Sequence, residues 1–302
     1  MEFQCGAVKE PDPKLTYPTN TFPLYHQVAG HRHGKGQTKL GLLLHSDGSV
    51  LKPLVENDVR SIREQGFYEK ITEHAKNCTA SFAEAQQCCD QVLHGIIGLT
   101  AQYLGEFQSD YVVPGMDGPP VKYIKIEDLV HGFELPCIAD IKIGRVTYGP
   151  DATPEKIEKH ESKFPPQRDI GYRILAMRIY EEGKFKMYGD NYCLRLTKDT
   201  IGKGIKKFTN SNPNCVELMF DQLKTIDKWF MNQRRFVFYG SSILFIYEAK
   251  KEHATVKLID FAHVHEMDQE NGKLDDNYIY GLKNLIKDFE ACQPNYDIKL
   301  AR

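Results

Sequence analysis

The 302-residue chain lacks several patterns that define whole classes of protein. No run of about eighteen consecutive apolar residues is present, and the N-terminal stretch MEFQCGAVKEPDPK has no apolar signal core. The eight cysteines show neither the C-x-x-C spacing of a zinc site nor the framework of a disulfide-rich domain. We therefore expect a soluble protein of the cytoplasm, the nucleus or both, without a transmembrane segment and with reduced cysteines.

An excess of charge of either sign is missing as well. The chain has 39 basic and 41 acidic residues, and its net charge of −2 argues against nucleic acid as a partner. An anionic ligand would have to be held by a local cluster of cations. The G-x-x-x-x-G-K-[ST] motif of P-loop kinases is absent, as are the G-x-G-x-x-G, H-R-D and D-F-G motifs of protein kinases.

One group of metal-ligating residue types does occur, at Cys88, Cys89 and His94. Adjacent cysteines seldom bind one ion together, and no second pair of ligands lies nearby in the sequence. The pattern therefore favours ordinary thiols over a metal site.

The order of apolar runs and turn residues predicts two lobes that share a cleft. Residues 1–23 are proline-rich and are predicted to be an irregular lead-in. Residues 24–129 are predicted to form a small lobe, with a hairpin turn at Ser46–Gly48, a helix after Asp58, further helix within Ser81–Phe107 and the strand VKYIKI. Residues 130–302 are predicted to form a larger lobe, which has strands at PCIADIKIG, SSILFIYE and VKLIDF and ends in a helix.

Charged residues interrupt these apolar strands. In PCIADIKIG, Asp140 and Lys142 lie two residues apart, so a β-strand places both side chains on one face. They either pair with each other on a half-exposed strand or face a cleft. Asp260 ends the strand VKLIDF and is the best candidate for a magnesium ligand, although a strand-end aspartate can also cap a turn.

The segment DATPEKIEKHESKFP is predicted to form a helix at 153–164 with a cationic face. Lys156, Lys159, His160 and Lys163 follow at helical spacing and lie on one side. Such a stripe could bind a polyphosphate. Glutamates interleave with it, however, and the helix taken alone favours a solvated face.

Taken together, the three strand motifs resemble the signatures of the inositol polyphosphate kinase family. PCIADIKIG matches P-x-x-x-D-x-K-x-G, SSILFIYE matches its serine pair, and IDFAHV matches I-D-F, in the family's order. The resemblance extends from about Tyr25 to Phe289 and is closest to the multikinase branch. It implies an α+β fold with a small N-lobe of antiparallel strands, a larger C-lobe, and an ATP cleft between them, distantly similar to protein kinases.

The resemblance also implies a function. Members use ATP and Mg²⁺ to phosphorylate inositol polyphosphates, here from the tris- to the tetrakis- and pentakisphosphate, with phosphoinositide head groups as further candidate acceptors. The short segment between Gly144 and IGYRILAMRIY implies an open acceptor site in a monomeric enzyme. The alternatives are a hexakisphosphate kinase that makes pyrophosphates, and a scaffold of the same fold that has lost catalysis.

On the nucleotide side, the resemblance assigns Lys52 to the ATP phosphates, with Glu64 orienting it. Glu127 and Leu129 correspond to the hinge that reads adenine, and Asp140 lies near the ribose. Asp260 is the expected magnesium ligand, together with one serine of the pair Ser241 and Ser242, of which we prefer Ser242. The apolar walls around the base are expected from Leu42, Val50, Leu244 and Ile259.

On the acceptor side, Lys142 is expected to touch both the transferred phosphate and the acceptor. We assign it electrostatic stabilisation, and Asp140 is a weaker candidate for a general base. Arg178 and His263 are expected to face the inositol phosphate. The resemblance also reverses the preference for the helix at 153–164, whose basic residues would bind the acceptor: Lys156, Lys159, His160 and Lys163.

Overall fold

A computed structural model describes residues 15–34, 40–78, 88–114, 118–267 and 272–293. Within these ranges, no helix combines the length and the apolar character that crossing a bilayer requires. The chain folds into two lobes, each built around a five-stranded antiparallel sheet. The predicted α+β, two-lobed fold is therefore confirmed.

The N-lobe sheet has the strand order β1-β2-β3-β5-β4. Its strands are β1 (Thr21–Pro23), β2 (Leu43–His45), β3 (Val50–Leu54), β4 (Tyr103–Gln108) and β5 (Lys122–Ile126). The predicted hairpin joins β2 to β3, where Gly48 has φ 87° and so supplies the left-handed conformation that the turn needs. A small core of its own, centred on Leu43, Leu51 and Tyr123, packs on this sheet.

Two helices connect the lobes. Helix α1 (Val59–Asn77) begins where the Asp58 carboxylate accepts a hydrogen bond from the Arg60 backbone N–H. Its buried Phe67 packs against three phenylalanine rings of the C-lobe, with ring centroids 4.8–5.8 Å apart. Helix α2 (Gln91–Ile96) packs on the C-lobe through Val92, whose carbonyl accepts from the Trp229 indole. Both helices therefore belong to the large C-lobe core by packing.

The C-lobe sheet has the strand order β11-β10-β6-β7-β8. Its strands are β6 (Pro136–Ile143), β7 (Tyr172–Glu181), β8 (Lys184–Tyr188), β10 (Ser242–Glu248) and β11 (Ala254–Ile259). One face of β6 and β10 carries Ile141, Ile243 and Phe245, which are fully buried in the main core. The alternation of side chains turns Ile138, Asp140 and Leu244 to the other face, toward the N-lobe.

The remaining elements pack around this sheet. Helices α6 (Ile201–Thr209), α7 (Asn214–Asn232) and α8 (Asp276–Glu290) cover its core face, and β9 (Phe236–Phe238) pairs with β12 (Val264–Glu266). Helix α3 (Pro154–Lys163) lies between β6 and β7 in the chain and buries no residue fully. Short helices occur at α4 (Gln167–Ile170) and α5 (Asp190–Cys193).

The structure differs from the sequence-based expectation in two places. The region Ser81–Phe107 was expected to be helical, but it contains the short helix α2 and most of strand β4, and residues 79–87 lie outside the described residues. Gly98 has φ 80°, which ends helical geometry, and YLGEFQ alternates between half-buried and exposed positions as it pairs with β5. In the lead-in at 1–23, Thr21–Pro23 form strand β1, and residues 1–14 lie outside the described part.

Candidate active site

A cleft lined largely by apolar side chains, with a few polar and charged groups among them, lies between the two sheets, as is usual for small-molecule sites. Its walls come from both lobes and from the connection between β5 and β6, so a ligand there would touch both lobes. Nine of the predicted nucleotide-binding residues line it: Leu42, Val50, Lys52, Glu127, Leu129, Asp140, Leu244, Ile259 and Asp260. Five further lining residues come from a segment that the sequence analysis did not connect with the cleft: Leu24, His26, Gln27, Val28 and Ala29.

Lys52 joins the lobes through two ion pairs. Its Nζ lies 2.7 Å from Glu64 Oε1 on α1 and 2.7 Å from Asp260 Oδ1 after β11. Glu64 is 5% exposed and also accepts from the Phe261 backbone N–H at 3.0 Å. Burial opposes the charge of Lys52, but the two carboxylates outweigh it and raise the pKa of Lys52. The ammonium group is therefore held in place within the cleft, and it stays charged.

Asp260 lies at the end of β11 in a conformation with φ 66°. This left-handed region is unfavourable for residues other than glycine, and such residues cluster at functional sites. Burial tends to raise the pKa of Asp260, but Lys52 and Lys142 together hold it below its usual range. Since 42% of the side chain is exposed, the ionised carboxylate remains accessible from the cleft.

Asp140 and Lys142 extend from β6 toward Asp260. Burial and the nearby charge of Asp260 raise the pKa of Asp140 to about 6. Burial lowers the pKa of Lys142, although the carboxylates of Asp260 and Asp140 oppose that shift. The Lys142 ammonium donates to the Gly240 carbonyl. The two side chains thus do not simply neutralise each other, because both also interact with Asp260.

The serine pair lies at the start of β10. Ser242 is opposite Lys142 on β6 and opposite Ile259 on β11, one residue before Asp260. Both serines are fully buried. Their position beside the charged residues agrees with the order of the three motifs along the sheet.

The donor groups at this point suit a divalent magnesium ion, which prefers oxygen ligands. The carboxylate of Asp260 is accessible, and Asp140 Oδ1 is buried without a hydrogen-bond partner among the described residues. Buried polar atoms are normally paired, so a carboxylate oxygen left in this state fits a site completed by a ligand. Asp260, Asp140 and Ser242 are the residues that could hold the ion.

Helix α3 and the segment after β11 form a cationic wall next to this group. Lys156 and His160 are half-buried, and His160 Nδ1 lies 3.0 Å from Thr147 Oγ1. Burial lowers the pKa of His160, and Lys142 and Lys156 lower it further. Burial, Lys156 and Arg63 together lower the pKa of His263 to about 4. Burial is the larger cause of both shifts, and the added effect of Lys142, Lys156 and Arg63 shows that cations surround the two imidazoles, an arrangement that would favour a bound polyanion.

Not all predicted acceptor residues come together here. Lys159 and Lys163 are exposed on α3, and only Lys159 contributes to the potential at His160. Arg178 lies opposite Ile138, four residues along β6 from Lys142. Its guanidinium stacks over the Phe185 ring of β8, with 3.5 Å between the guanidinium carbon and the ring centroid. The structure therefore places Arg178 beside the sheet rather than beside α3.

Two arginines that the sequence analysis did not single out take part instead. Arg173 is directly opposite Lys142, is 6% exposed, and adds to the positive potential at both Lys142 and His160. Arg63 on α1 donates to the Ala262 carbonyl at 3.1 Å and lies 3.8 Å from Asp151. Arg173 carries the same signal that drew attention to Asp140, which is a charge inside an apolar strand.

Comparisons with known proteins agree with this geometry. A family model described as inositol polyphosphate kinase matches residues 123–290, from β5 to the end of α8. The inositol polyphosphate multikinases of Rattus norvegicus and Homo sapiens are 36% and 35% identical over 79% and 82% of this chain. The matched region spans 56% of the length of each of these two relatives. Inositol polyphosphate multikinase beta of Arabidopsis thaliana is 29% identical, with 87% of this chain and 90% of the relative covered.

Solved structures show the same fold. Inositol phosphate multikinase Ipk2 of S. cerevisiae, solved with ADP and Mn²⁺, matches with a TM-score of 0.59 at 19% identity. The match covers 80% of this chain and 98% of the yeast chain, and at this identity it concerns the fold alone. A second inositol phosphate multikinase structure matches with a TM-score of 0.50 at 29% identity, over 55% of this chain and 84% of the other.

Proposed function

The chain belongs to the inositol polyphosphate kinase family, and we propose that it transfers the γ-phosphoryl group of ATP to hydroxyl groups of inositol polyphosphates. The observation that carries this proposal is the convergence of three charged residues from both lobes in one cleft, Lys52, Asp140 and Asp260, with Lys142 close enough to interact with both carboxylates. Phosphoryl transfer depends on positioning and on neutralising charge, which this group can provide.

The nucleotide fits the apolar part of the cleft. Leu42, Val50, Leu244 and Ile259 would enclose the adenine ring between the two sheets. At the hinge, the Glu127 N–H already donates to the Gln102 carbonyl at 2.9 Å, so we assign the adenine edge to the Glu127 carbonyl and the Leu129 N–H. Asp140, at the inner end, is the candidate for a contact to the ribose.

Lys52 would contact the ATP phosphates, held in place by Glu64. Asp260, with Asp140 and Ser242 beside it, would hold the magnesium ion. When bound, the ion neutralises phosphate charge and organises the phosphate groups for transfer. Lys52 is fixed by two carboxylates before ATP arrives, so little reorganisation is needed on binding.

Lys142 is the residue best placed to act on the transferred group. It lies between the carboxylates of the nucleotide side and the cationic wall around His160. A lysine at this point stabilises negative charge on the transferred phosphoryl group and can orient the attacking hydroxyl. We assign no general base, because positioning and charge neutralisation dominate reactions with a loose transition state.

The acceptor would lie against the cationic wall. Lys156, His160 and His263 face it from the C-lobe, with Arg63 contributed by α1. The wall is formed by a short helix that buries no residue fully, so the acceptor site is open. An open site of this kind supports more than one inositol phosphate as acceptor, and we assign it the tris- and tetrakisphosphates, with the pentakisphosphate as the final product.

A panel of acceptors tests the proposal. The chain is incubated with ATP, Mg²⁺ and, separately, inositol tris-, tetrakis-, pentakis- and hexakisphosphate, and products are separated by anion-exchange chromatography. We expect turnover of the tris- and tetrakisphosphates. Turnover of the hexakisphosphate alone would instead support the alternative function, a hexakisphosphate kinase that makes pyrophosphates. Vesicles that contain phosphoinositides form a parallel arm for a lipid acceptor.

Matched variants test the residue assignments. Asp260→Asn and Lys142→Met should each lower kcat by about a hundredfold or more, the size expected for removal of one group that stabilises transition-state charge. Lys184→Met on β8, an exposed lysine far along the sheet, is the control and should keep full activity. Intact ATP binding without turnover of any acceptor would favour the scaffold alternative.

A further inference from the structure

Four metal-ligating side chains meet on the side of the protein where α1 ends and α2 begins. They are His74, Cys78, Cys88 and His94, and one ligand atom from each lies within 4.8 Å of all the others. Cys78 Sγ is 3.2 Å from Cys88 Sγ and 3.4 Å from His94 Nδ1, while Cys88 Sγ is 3.3 Å from His74 Nε2. We propose that these four residues bind one structural zinc ion.

The distances agree with tetrahedral zinc coordination. Zinc–sulfur bonds of about 2.3 Å and zinc–nitrogen bonds of about 2.0–2.1 Å give a tetrahedron whose ligand atoms are about 3.3–3.8 Å apart. The two sulfur–nitrogen distances of 3.4 and 3.3 Å are close to the expected value of about 3.5 Å, and the two sulfurs, at 3.2 Å, would move apart by about 0.5 Å when the ion binds. Two thiolates and two imidazoles are also the ligand set of many structural zinc sites. All four positions are filled by protein, which leaves none open for a substrate.

The local backbone presents the ligands in two pairs. His74 and Cys78 are four residues apart at the end of α1, and the Cys78 N–H donates to the His74 carbonyl at 2.8 Å, so both side chains project from one face. Cys88 lies two residues before Asp90, the N-cap residue of α2, and His94 lies in the last turn of that helix. The separations of three and five intervening residues within the pairs are usual for zinc ligands.

The second pair is held firmly by its surroundings. Cys88 and His94 are 9% and 4% exposed. Asp90 caps α2 by accepting from the Leu93 N–H at 2.9 Å, and Arg235 of the C-lobe pairs with the same aspartate at 2.6 Å. A bound ion would therefore tie the end of α1 to a helix that is already anchored on the C-lobe.

A disulfide between Cys78 and Cys88 is the competing explanation. Both cysteines are free thiols in the structure. A disulfide would also give no reason for two imidazoles to point their nitrogens at the sulfurs. Cys89, which the sequence pattern grouped with Cys88, is exposed and does not belong to the cluster.

Metal analysis of the full chain, purified with a reductant and without chelator, tests the proposal. We expect about one zinc ion per chain in the wild type and in Cys89→Ser, and a loss of at least about tenfold in Cys88→Ser at low free zinc. Absence of stoichiometric zinc, a Cys78–Cys88 disulfide in the reduced preparation, or an equal loss in Cys89→Ser would overturn it.

A cobalt titration keeps the test independent of whether Cys88→Ser folds. Zinc is removed from the wild type with a zinc-selective chelator, and Co²⁺ is added. We expect thiolate-to-cobalt charge-transfer absorption and the visible bands of tetrahedral cobalt, saturating at about one equivalent. The chelator should also lower the Tm of the wild type and zinc should restore it, because a structural metal contributes folding free energy. Octahedral cobalt spectra, or a Tm that the chelator does not change, would refute the proposal.

Discussion

Glu64 offers a direct test of how the two lobes cooperate. It is buried on α1, accepts from Lys52 Nζ at 2.7 Å, and accepts from the Phe261 N–H at 3.0 Å. Glu64→Gln keeps an oxygen of the same shape for both donors but removes the negative charge. The change therefore separates the charge of Glu64 from its role as a hydrogen-bond acceptor.

The expected effect on stability is moderate. A hydrogen bond to a charged group contributes about 1.5–3 kcal/mol, and a neutral one about 0.5–1.5 kcal/mol, so the substitution should destabilise the fold by about 1–2 kcal/mol. In a chain of this size, that corresponds to a fall in Tm of about 2–6 °C. The effect on ATP should be specific. Lys52 would keep only Asp260 as a charged partner, and we expect about tenfold weaker ATP binding, or about 1.4 kcal/mol.

The assay combines calorimetric titration with ATP and thermal unfolding. Glu73→Gln is the matched control, because Glu73 lies exposed on the same helix, and it should change neither quantity measurably. If Glu64→Gln lowers the Tm but binds ATP like the wild type, Glu64 only stabilises the fold and its assigned orienting role is wrong. If neither quantity changes, the charge at this buried position has no consequence and the argument from the ion pairs fails.

Three further outcomes follow from other parts of the structure. Gly281→Ala should destabilise the protein by about 3 kcal/mol or more in denaturant unfolding, because the new Cβ would lie 1.8 Å from the Gly171 carbonyl oxygen. The control is Gly66→Ala in α1, whose new Cβ would meet no atom within 4 Å and which should stabilise the protein by up to about 1 kcal/mol. Inositol trisphosphate binding at pH 7 should take up protons, because the pKa of His263 is lowered to about 4 in the free protein and a bound phosphate would raise that pKa. Calorimetric titrations in buffers of different ionisation heat measure the proton uptake, and His263→Gln should reduce it. Burial raises the pKa of Asp275 to about 6, above its unfolded value of about 3.9, so the ionised carboxylate destabilises the fold above pH 6. Relative to Asp275→Asn, the wild type should therefore gain about 2.3 kcal/mol as the pH falls from 7 to 4, and a constant difference would contradict this.

The parts of the fold that were predictable from the sequence are those with strong local patterns. The hairpin around Gly48, the helix capped by Asp58 and the apolar strands β6, β10 and β11 all occur where the pattern indicated. Their apolar faces are long enough to specify element type without tertiary information. The same strands carry Asp140 and Asp260, which explains why much of the cleft could be named before its geometry was known.

The acceptor side was less predictable because it depends on strand register. Arg173 and Arg178 are five residues apart, and strict alternation would put them on opposite faces of β7. A bulge lies between the pairs Asp140–Ala176 and Ile141–Ile174, and it leaves Leu175 unpaired. Because of this shift, Arg173 lies opposite Lys142 and Arg178 opposite Ile138, so both arginines lie on one face of β7. A single sequence contains no reliable signal for such a bulge.

The cysteine cluster was missed for a related reason. Cys88 and Cys89 are adjacent, so the sequence suggested a pair that could not share an ion. The structure pairs Cys88 with Cys78 instead, across a connection whose residues 79–87 lie outside the described part. Ligand groups formed by two helix ends depend on how those helices pack, and sequence spacing alone does not give that packing.

Local charge, rather than net charge, decides what this cleft can bind. Around Lys52 the charges nearly cancel, because Lys52, Lys142 and Arg173 face the carboxylates of Glu64, Asp140 and Asp260. At His160 and His263 they do not, since Lys156 acts on both imidazoles, Arg63 also acts on His263, and Asp151 opposes them there. Half-buried cations are screened less by salt than exposed ones. A chain with a net charge of −2 can therefore present a positive acceptor wall beside a nearly neutral inner end, where a magnesium–nucleotide complex would add little net charge.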